Sequence, residues 1–215
     1  MGNQASIGGK YSSGVLLLAP LYDFVKEHCS HSAEDLRLER TPLGTQYSKI
    51  CNQASEGCPE AQGFYLWGKY DKTGLWQNIY LGKAGFGDHK SIRKRIREEL
   101  KDERCCIWRR IYSADELHAF RMKIHNGKYE NEWKRAIRKS GSTHIVWVSA
   151  QSVADDQVTN VEADLIESLN PIANRVRPAP PDSLQYEAKE IFGLFRKCIH
   201  ESRKNRLVLR LAASS

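Results

Sequence analysis

The densest apolar patterning lies between residues 63 and 83. Gly63-Phe64-Tyr65-Leu66-Trp67-Gly68-Lys69-Tyr70 and Gln77-Asn78-Ile79-Tyr80-Leu81-Gly82-Lys83 are aromatic and aliphatic runs split by Asp71-Lys72-Thr73-Gly74. β-rich runs on either side of a Gly-containing turn predict a hairpin. Thr143-His144-Ile145-Val146-Trp147-Val148-Ser149 predicts a further strand, apolar on nearly every position and so expected to be covered on both faces. Elsewhere the period becomes helical. Ile92, Ile96 and Leu100 follow the N-cap residue Ser91 at intervals of four and predict a helix over 92–104. Val158, Val161, Leu165 and Leu169 predict another from about 156 to 169, stopped by Asn170-Pro171.

The intervening stretches are less regular. Residues 1–13 are Gly- and Ser-rich and read as loose, and a helix is expected after Pro20, since proline suits a first turn. Residues 30–62 read as a helix fragment and a loop, and 106–112 as a short strand or connector. Basic helical segments are expected over 114–125 and 129–139, broken at Asn126-Gly127 and closed by Gly141. Pro178, Pro180 and Pro181 mark a linker before a last amphipathic helix over 183–203. Its apolar positions are Ile191, Phe192, Leu194, Phe195, Cys198 and Ile199.

Composition narrows the class. A chain of 215 residues with 40% apolar and 27% charged residues can bury a core of its own. The net charge of +7 suits either a polyanion-binding protein or a basic solvated surface. Six cysteines lack any C-x-x-C pair, so neither a disulfide framework nor a tight zinc knuckle is read, and reduced thiols in a cytoplasmic setting are expected. Cys29 and His31 with Cys51 and Cys58 are the one conceivable zinc set, without diagnostic spacing. The run Val15-Leu16-Leu17-Leu18-Ala19 is far too short to span a membrane. Met1-Gly2-Asn3-Gln4-Ala5-Ser6 fits a myristoylation pattern short enough to arise by chance.

Two charged residues stand out against this background. On a helical wheel Glu162 falls between Val158 and Ile166, inside the apolar face, whereas Asp164 and Glu167 point away. An ionised carboxylate on such a face costs several kcal/mol, so Glu162 either snorkels or pairs with a basic group, or it ligates a cation. Arg95 shares a flank of its helix with Glu99, where an i,i+4 pair is the simplest reading; Arg93 and Arg97 lie toward the other flank.

Together these residues resemble the GIY-YIG nuclease superfamily. Gly63-Phe64-Tyr65 matches the first signature and Tyr80-Leu81-Gly82-Lys83-Ala84 the second. The helix carrying Arg95 looks like the helix with the family's catalytic arginine. Trp133 to Gly141 looks like its middle helix, and Glu162 with Pro171 and Asn174 is similar to its metal-binding glutamate helix and closing Pro-x-x-Asn. Four short motifs in order make a composite far more specific than any one. Two departures stand beside it: Glu99 where many members carry His or Tyr, and a longer loop before the arginine helix, in which His89 lies.

The resemblance implies an α+β fold: a small three-stranded antiparallel sheet flanked by helices, with N-terminal, internal and C-terminal helical additions. The corresponding organisation is an arm or helical extension over 1–62, a core over 63–176 with a helical insertion near 112–140, and a linker with a C-terminal helix over 177–215. It further implies phosphodiester hydrolysis with Mg²⁺, or Mn²⁺ in its place, held by Glu162. Arg95 would bind the scissile phosphate and Tyr65 would orient or deprotonate the attacking water. Lys83 would lower the Tyr65 pKa, Tyr80 would bond water or phosphate, and Asn174 would support the site. Arg93, Arg97, Arg109, Arg110, Lys134 and Arg138 are expected to contact DNA, with Arg121, Lys123, Arg135 and Lys139 as further phosphate-lining candidates.

The size and the Val161-Glu162-Ala163-x-Leu165-Ile166 form are similar to the superfamily's small type II restriction endonucleases. That likeness implies cleavage of duplex DNA by a homodimer or higher homo-oligomer, with the C-terminal helix as a candidate dimer element. Two alternatives stay open. One is a structure-selective repair, phage or mobile-element nuclease; the other is a catalytically silent nucleic-acid-binding protein of the same fold.

Overall fold

A computed structural model describes residues 5–7, 10–28, 41–87, 90–101, 142–174 and 186–212. The elements in chain order are β1 (Ala5–Ile7), β2 (Tyr11–Leu17), α1 (Ala19–His28), α2 (Pro42–Ser55), β3 (Gly63–Tyr70) and β4 (Trp76–Ala84). After them come α3 (Ile92–Lys101), β5 (His144–Ala150), α4 (Val158–Leu169) and α5 (Tyr186–Ala212). The fold is mixed α+β around one antiparallel sheet of order β1-β2-β5-β3-β4.

The predicted hairpin is β3–β4. It turns because Asp71 Oδ1 accepts from the Thr73 amide, the Thr73 hydroxyl and the Leu75 amide, while Gly74 takes a φ of 80°. Its register pairs Tyr65 with Gly82 and Trp67 with Tyr80, then shifts so that Gly68 faces Asn78 and Ile79 is the extra residue of a bulge. β5 lies on the other side of β3, with Tyr65 opposite Trp147. As its sequence predicts, β5 is buried on both faces.

Two helical layers account for that. On one face α1, α2 and α3 cover Tyr65, Trp67, Ile145 and Trp147; on the other α4 and α5 cover Phe64, Leu66, Leu81, Val146 and Val148. Ser91 caps α3 through its hydroxyl, which accepts from the Lys94 amide, and Ile92, Ile96 and Leu100 are fully buried. α4 ends as expected at Asn170, which adopts the left-handed conformation before Pro171. α5 buries Ile191, Leu194, Phe195 and Cys198 within its own chain.

Three sequence expectations are corrected. The sheet has five strands rather than three. The segment before Pro20, whose first thirteen residues are expected to be loose, supplies β1 and β2, and β2 pairs with β5 from Tyr11↔Ala150 to Leu17↔His144, while the helix expected after Pro20 is α1. The Val15-Leu16-Leu17-Leu18 run is thus mainly sheet core, and alternation was obscured because Leu16 and Leu18 go inward while Leu17 faces solvent. On α4 the wheel misassigned an acid: Asp164 is 3% exposed, whereas the Glu162 side chain is 24% exposed. α4 packs on both the sheet and α5, so its buried arc is wider than the apolar stripe indicates.

The expected segments at 106–112, 114–125 and 129–139, and the proline linker, lie outside the described residues. Among the described residues no helix is long and apolar enough to cross a membrane.

Candidate active site

β4 is an edge strand, and Tyr65, Tyr80, Lys83, Arg95, Glu162 and Asn174 lie around it. Residues paired across an antiparallel sheet share a face. Tyr65 and Gly82 therefore lie on the α3 side with Trp67 and Tyr80, and Tyr80 packs against that core. Because Gly82 has no side chain, the Tyr65 ring lies across it. Gly63 is required for a different reason: any Cβ there would collide with the Val148 carbonyl of β5.

α3 brings a charged pair to Tyr65. The Tyr65 hydroxyl donates to Glu99 Oε1 at 2.8 Å, and Arg95 Nε donates to the same oxygen at 3.2 Å. The i,i+4 spacing aligns Arg95 and Glu99 on one flank, as the sequence indicates. Glu99 is 11% exposed and Arg95 33%, so the pair runs from the protein interior to its surface. Glu99 is the member of this cluster to which the resemblance gives no role; its sequence signals are its place one turn after Arg95 and its standing where many members of the resembled superfamily carry His or Tyr.

The electrostatics correct the role expected of Lys83. Burial, then the charge of Glu99 and the neighbouring Tyr80, push the Tyr65 hydroxyl well above the ordinary tyrosine range. Lys83 does not offset this, because side chains alternate along a strand and Lys83 points to the opposite face. There its Nζ stands 2.9 Å from Glu162 Oε2 of α4. Tyr65 is therefore a neutral phenol at physiological pH.

Asn174 joins the two faces. Its side-chain amide donates to the Leu81 carbonyl at 3.0 Å and accepts from the Leu81 amide at 2.9 Å. The Ile172 and Ala173 amides donate to Asn78 and Ile79 carbonyls, and Asn78 Nδ2 donates to the Leu169 carbonyl. The chain leaving α4 thus runs along the edge of β4 and satisfies its outward backbone groups. Asn174 grips Leu81 at the centre of Tyr80-Leu81-Gly82.

The structure brings Tyr65, Tyr80, Arg95 and Glu99 together, and separately brings Lys83 and Glu162 together, with β4 between them. Of the residues expected to contact DNA, Arg93 bonds inward, from Nε to the Cys58 carbonyl at 2.7 Å and from its terminus to the Glu56 carbonyl and Glu60. Arg97 lies 4.0 Å from Glu60. Arg109, Arg110, Lys134 and Arg138, with Arg121, Lys123, Arg135 and Lys139, lie outside the described residues, as do His89, Cys29 and His31.

Among the described residues no three His, Cys, Asp or Glu side chains gather as a metal site. The Glu162 side chain, 24% exposed, offers a hard oxygen donor at the surface. That suits Mg²⁺, which keeps most of its waters and takes one or two carboxylates plus substrate phosphate. Cys51 and Cys58 are buried thiols, pushed up to about 12 by burial, and do not resemble metal-ready thiolates. Comparison with protein-family models, with curated proteins and with solved structures finds no match to this chain.

Proposed function

We propose that the protein is a Mg²⁺-dependent endonuclease that hydrolyses phosphodiester bonds in duplex DNA, of the sequence-specific restriction type and acting as a homodimer or higher homo-oligomer. The observation that carries this reading is the β4 register. Consecutive residues of one edge strand place the Tyr65–Arg95 cluster on one face and the Lys83–Glu162 pair on the other. Glycine at position 82 leaves the space that the Tyr65 ring fills.

A phosphodiester seated at Gly82-Lys83, past the Asn174 grip on Leu81, reaches both faces. Arg95 offers its guanidinium fork to phosphate oxygens and neutralises charge as it develops. Tyr65, held neutral, orients the attacking water through its hydroxyl, and Tyr80 borders the same space. Glu162 would hold the cation, which supplies charge stabilisation to the leaving oxygen when bound. Lys83 would exchange Glu162 for a phosphate oxygen as that happens. Asn174 keeps the strand in place.

The Lys83–Glu162 contact also favours a second reading, a catalytically silent nucleic-acid-binding protein, because the ammonium already neutralises the carboxylate. One experiment separates the two. Purified protein is incubated with phage DNA and Mg²⁺, beside Glu162→Ala and a metal-free control. The nuclease reading expects metal-dependent cleavage into discrete bands, lost in the variant. Undiminished cutting by Glu162→Ala would sink the metal role, and binding without any cutting favours the silent protein.

A further inference from the structure

We infer that Glu99 fixes the Tyr65 hydroxyl in one orientation and accepts its proton during hydrolysis; this rests on the nuclease reading proposed above. A phenol hydroxyl rotates freely unless a partner sets it. Here its single proton points to Glu99 Oε1 at 2.8 Å, which leaves the phenol oxygen to accept, from the Arg95 guanidinium beside it and from a water proton. The carboxylate is itself held, since Arg95 Nε bonds the same oxygen at 3.2 Å. With Tyr65 1% exposed and Glu99 11% exposed, this hydrogen bond is shielded from bulk water.

The charged and titratable groups facing Tyr65 are Glu99 and Arg95 from α3 and Tyr80 from β4. With the phenol neutral, Tyr65 cannot serve as a ready-made base, and a proton it takes from water must be matched by one it gives up. Glu99 is the carboxylate placed to receive it. As the water oxygen bonds to phosphorus, a water proton moves to the Tyr65 oxygen and the original Tyr65 proton moves to Glu99. The bond from phosphorus to the leaving oxygen breaks, and that oxygen takes a proton from solvent. The Glu99 acid then returns one to solvent. One water is consumed, and one phosphomonoester and one hydroxyl are formed. Glu99 is a positioning residue in this scheme, since it acts through Tyr65 and does not touch the substrate.

The test is a double-mutant cycle in single-turnover cleavage of duplex DNA with Mg²⁺, using the full chain. Glu99→Gln keeps the size and an acceptor oxygen but cannot take a proton to the same purpose. It is expected to cut about 100-fold more slowly, within the usual range for general acid–base groups. Tyr65→Phe should lose at least as much, and the double variant should be no slower than Tyr65→Phe alone. Costs that multiply in the double variant overturn the inference while leaving the nuclease reading standing. Failure of the wild type to cut overturns both.

A second readout does not depend on turnover. With tyrosine labelled with carbon-13 at Cζ, the Tyr65 resonance, assigned by its loss in Tyr65→Phe, should shift in Glu99→Gln. An unmoved resonance overturns the hydrogen bond on which the inference stands.

Discussion

The Tyr65 hydroxyl lies directly over Gly82. A methyl group on that glycine would stand 2.5 Å from Tyr65 Cζ and 2.6 Å from its oxygen, well inside contact distance. Gly82 is thus a steric requirement of Tyr65. Gly82→Ala should displace the ring, cost about 1–3 kcal/mol as overpacking does, and break the Tyr65–Glu99 bond. Gly57→Ala is the control, because nothing lies within 4 Å of a methyl group there. Urea unfolding of both checks the expectation, and equal midpoints would show that the ring is not held against β4.

Much of this arrangement was legible in the chain, for identifiable reasons. Continuous β-rich apolar runs located the hairpin and β5, and apolar positions three and four residues apart located α3 and α4, because each has surface that must leave water. What escaped depended on three-dimensional context. β2 read as an undivided apolar run, since only its pairing with β5 separates buried Leu16 from exposed Leu17. Asp164 looked solvent-facing because a wheel assumes one buried side, and α4 has two packing partners. Glu99 looked like an ordinary helix ion-pair partner until the fold brought Tyr65 to it. The failed expectation for Lys83 has a one-residue cause: positions 82 and 83 are adjacent in sequence but face opposite sides of the sheet.

Asn174 makes a two-point bond to the Leu81 backbone, so its loss leaves an edge-strand amide and carbonyl without their partner. Asn174→Ala is expected to lower stability by about 1–3 kcal/mol, the usual cost of leaving such groups unsatisfied. Asn174→Asp should be worse at neutral pH, because a carboxylate would face the Leu81 carbonyl, and should recover in acid as the new side chain regains a donor. Thermal unfolding at pH 4 and 7 measures this. A pH-independent loss would argue against the two-point geometry.

Arg93 was expected on DNA, and its contacts predict something else. Its bonds to the Cys58 and Glu56 carbonyls tie α3 to the loop after α2. Arg93→Ala should cost about 1–3 kcal/mol in stability, and Arg93→Lys should not restore it, because an ammonium lacks the guanidinium fork. The salt dependence of DNA affinity should keep its wild-type slope in both variants. A slope reduced by about one unit would return Arg93 to the phosphate-contacting set.

Cys51 and Cys58 give a pH prediction. Burial raises both thiols from 9.0 to about 12, so the folded state holds their protons more tightly than the unfolded chain does. Their contribution is fully present below pH 9.0 and is lost as pH rises toward about 12. The slope is about 1.4 kcal/mol per pH unit for each thiol that is protonated only when folded. Tyr65 adds loss of the same sign above its ordinary value of 10.0. Urea midpoints from pH 8 to 11 should fall steadily in wild type and less in Cys51→Ala/Cys58→Ala. Parallel curves would place the alkaline sensitivity elsewhere.

On the proposed nuclease reading, the Lys83–Glu162 pair predicts competition between an ammonium and a divalent cation for one carboxylate. At 2.9 Å the two charges neutralise each other, yet the side chains are 35% and 24% exposed, so the pair contributes only about 0–1 kcal/mol to stability. Lys83→Gln should therefore leave the unfolding midpoint nearly unchanged. It should also remove the competitor, so Mn²⁺ binds about threefold tighter, a change of under one kcal/mol, as followed by electron paramagnetic resonance of the free ion. Cleavage should fall despite the tighter binding, because the lysine no longer passes to the phosphate. Tighter metal with slower cutting would separate the two roles of Lys83. Unchanged Mn²⁺ affinity in Lys83→Gln, with affinity lost in Glu162→Ala, would show that the cation and the ammonium do not share the carboxylate.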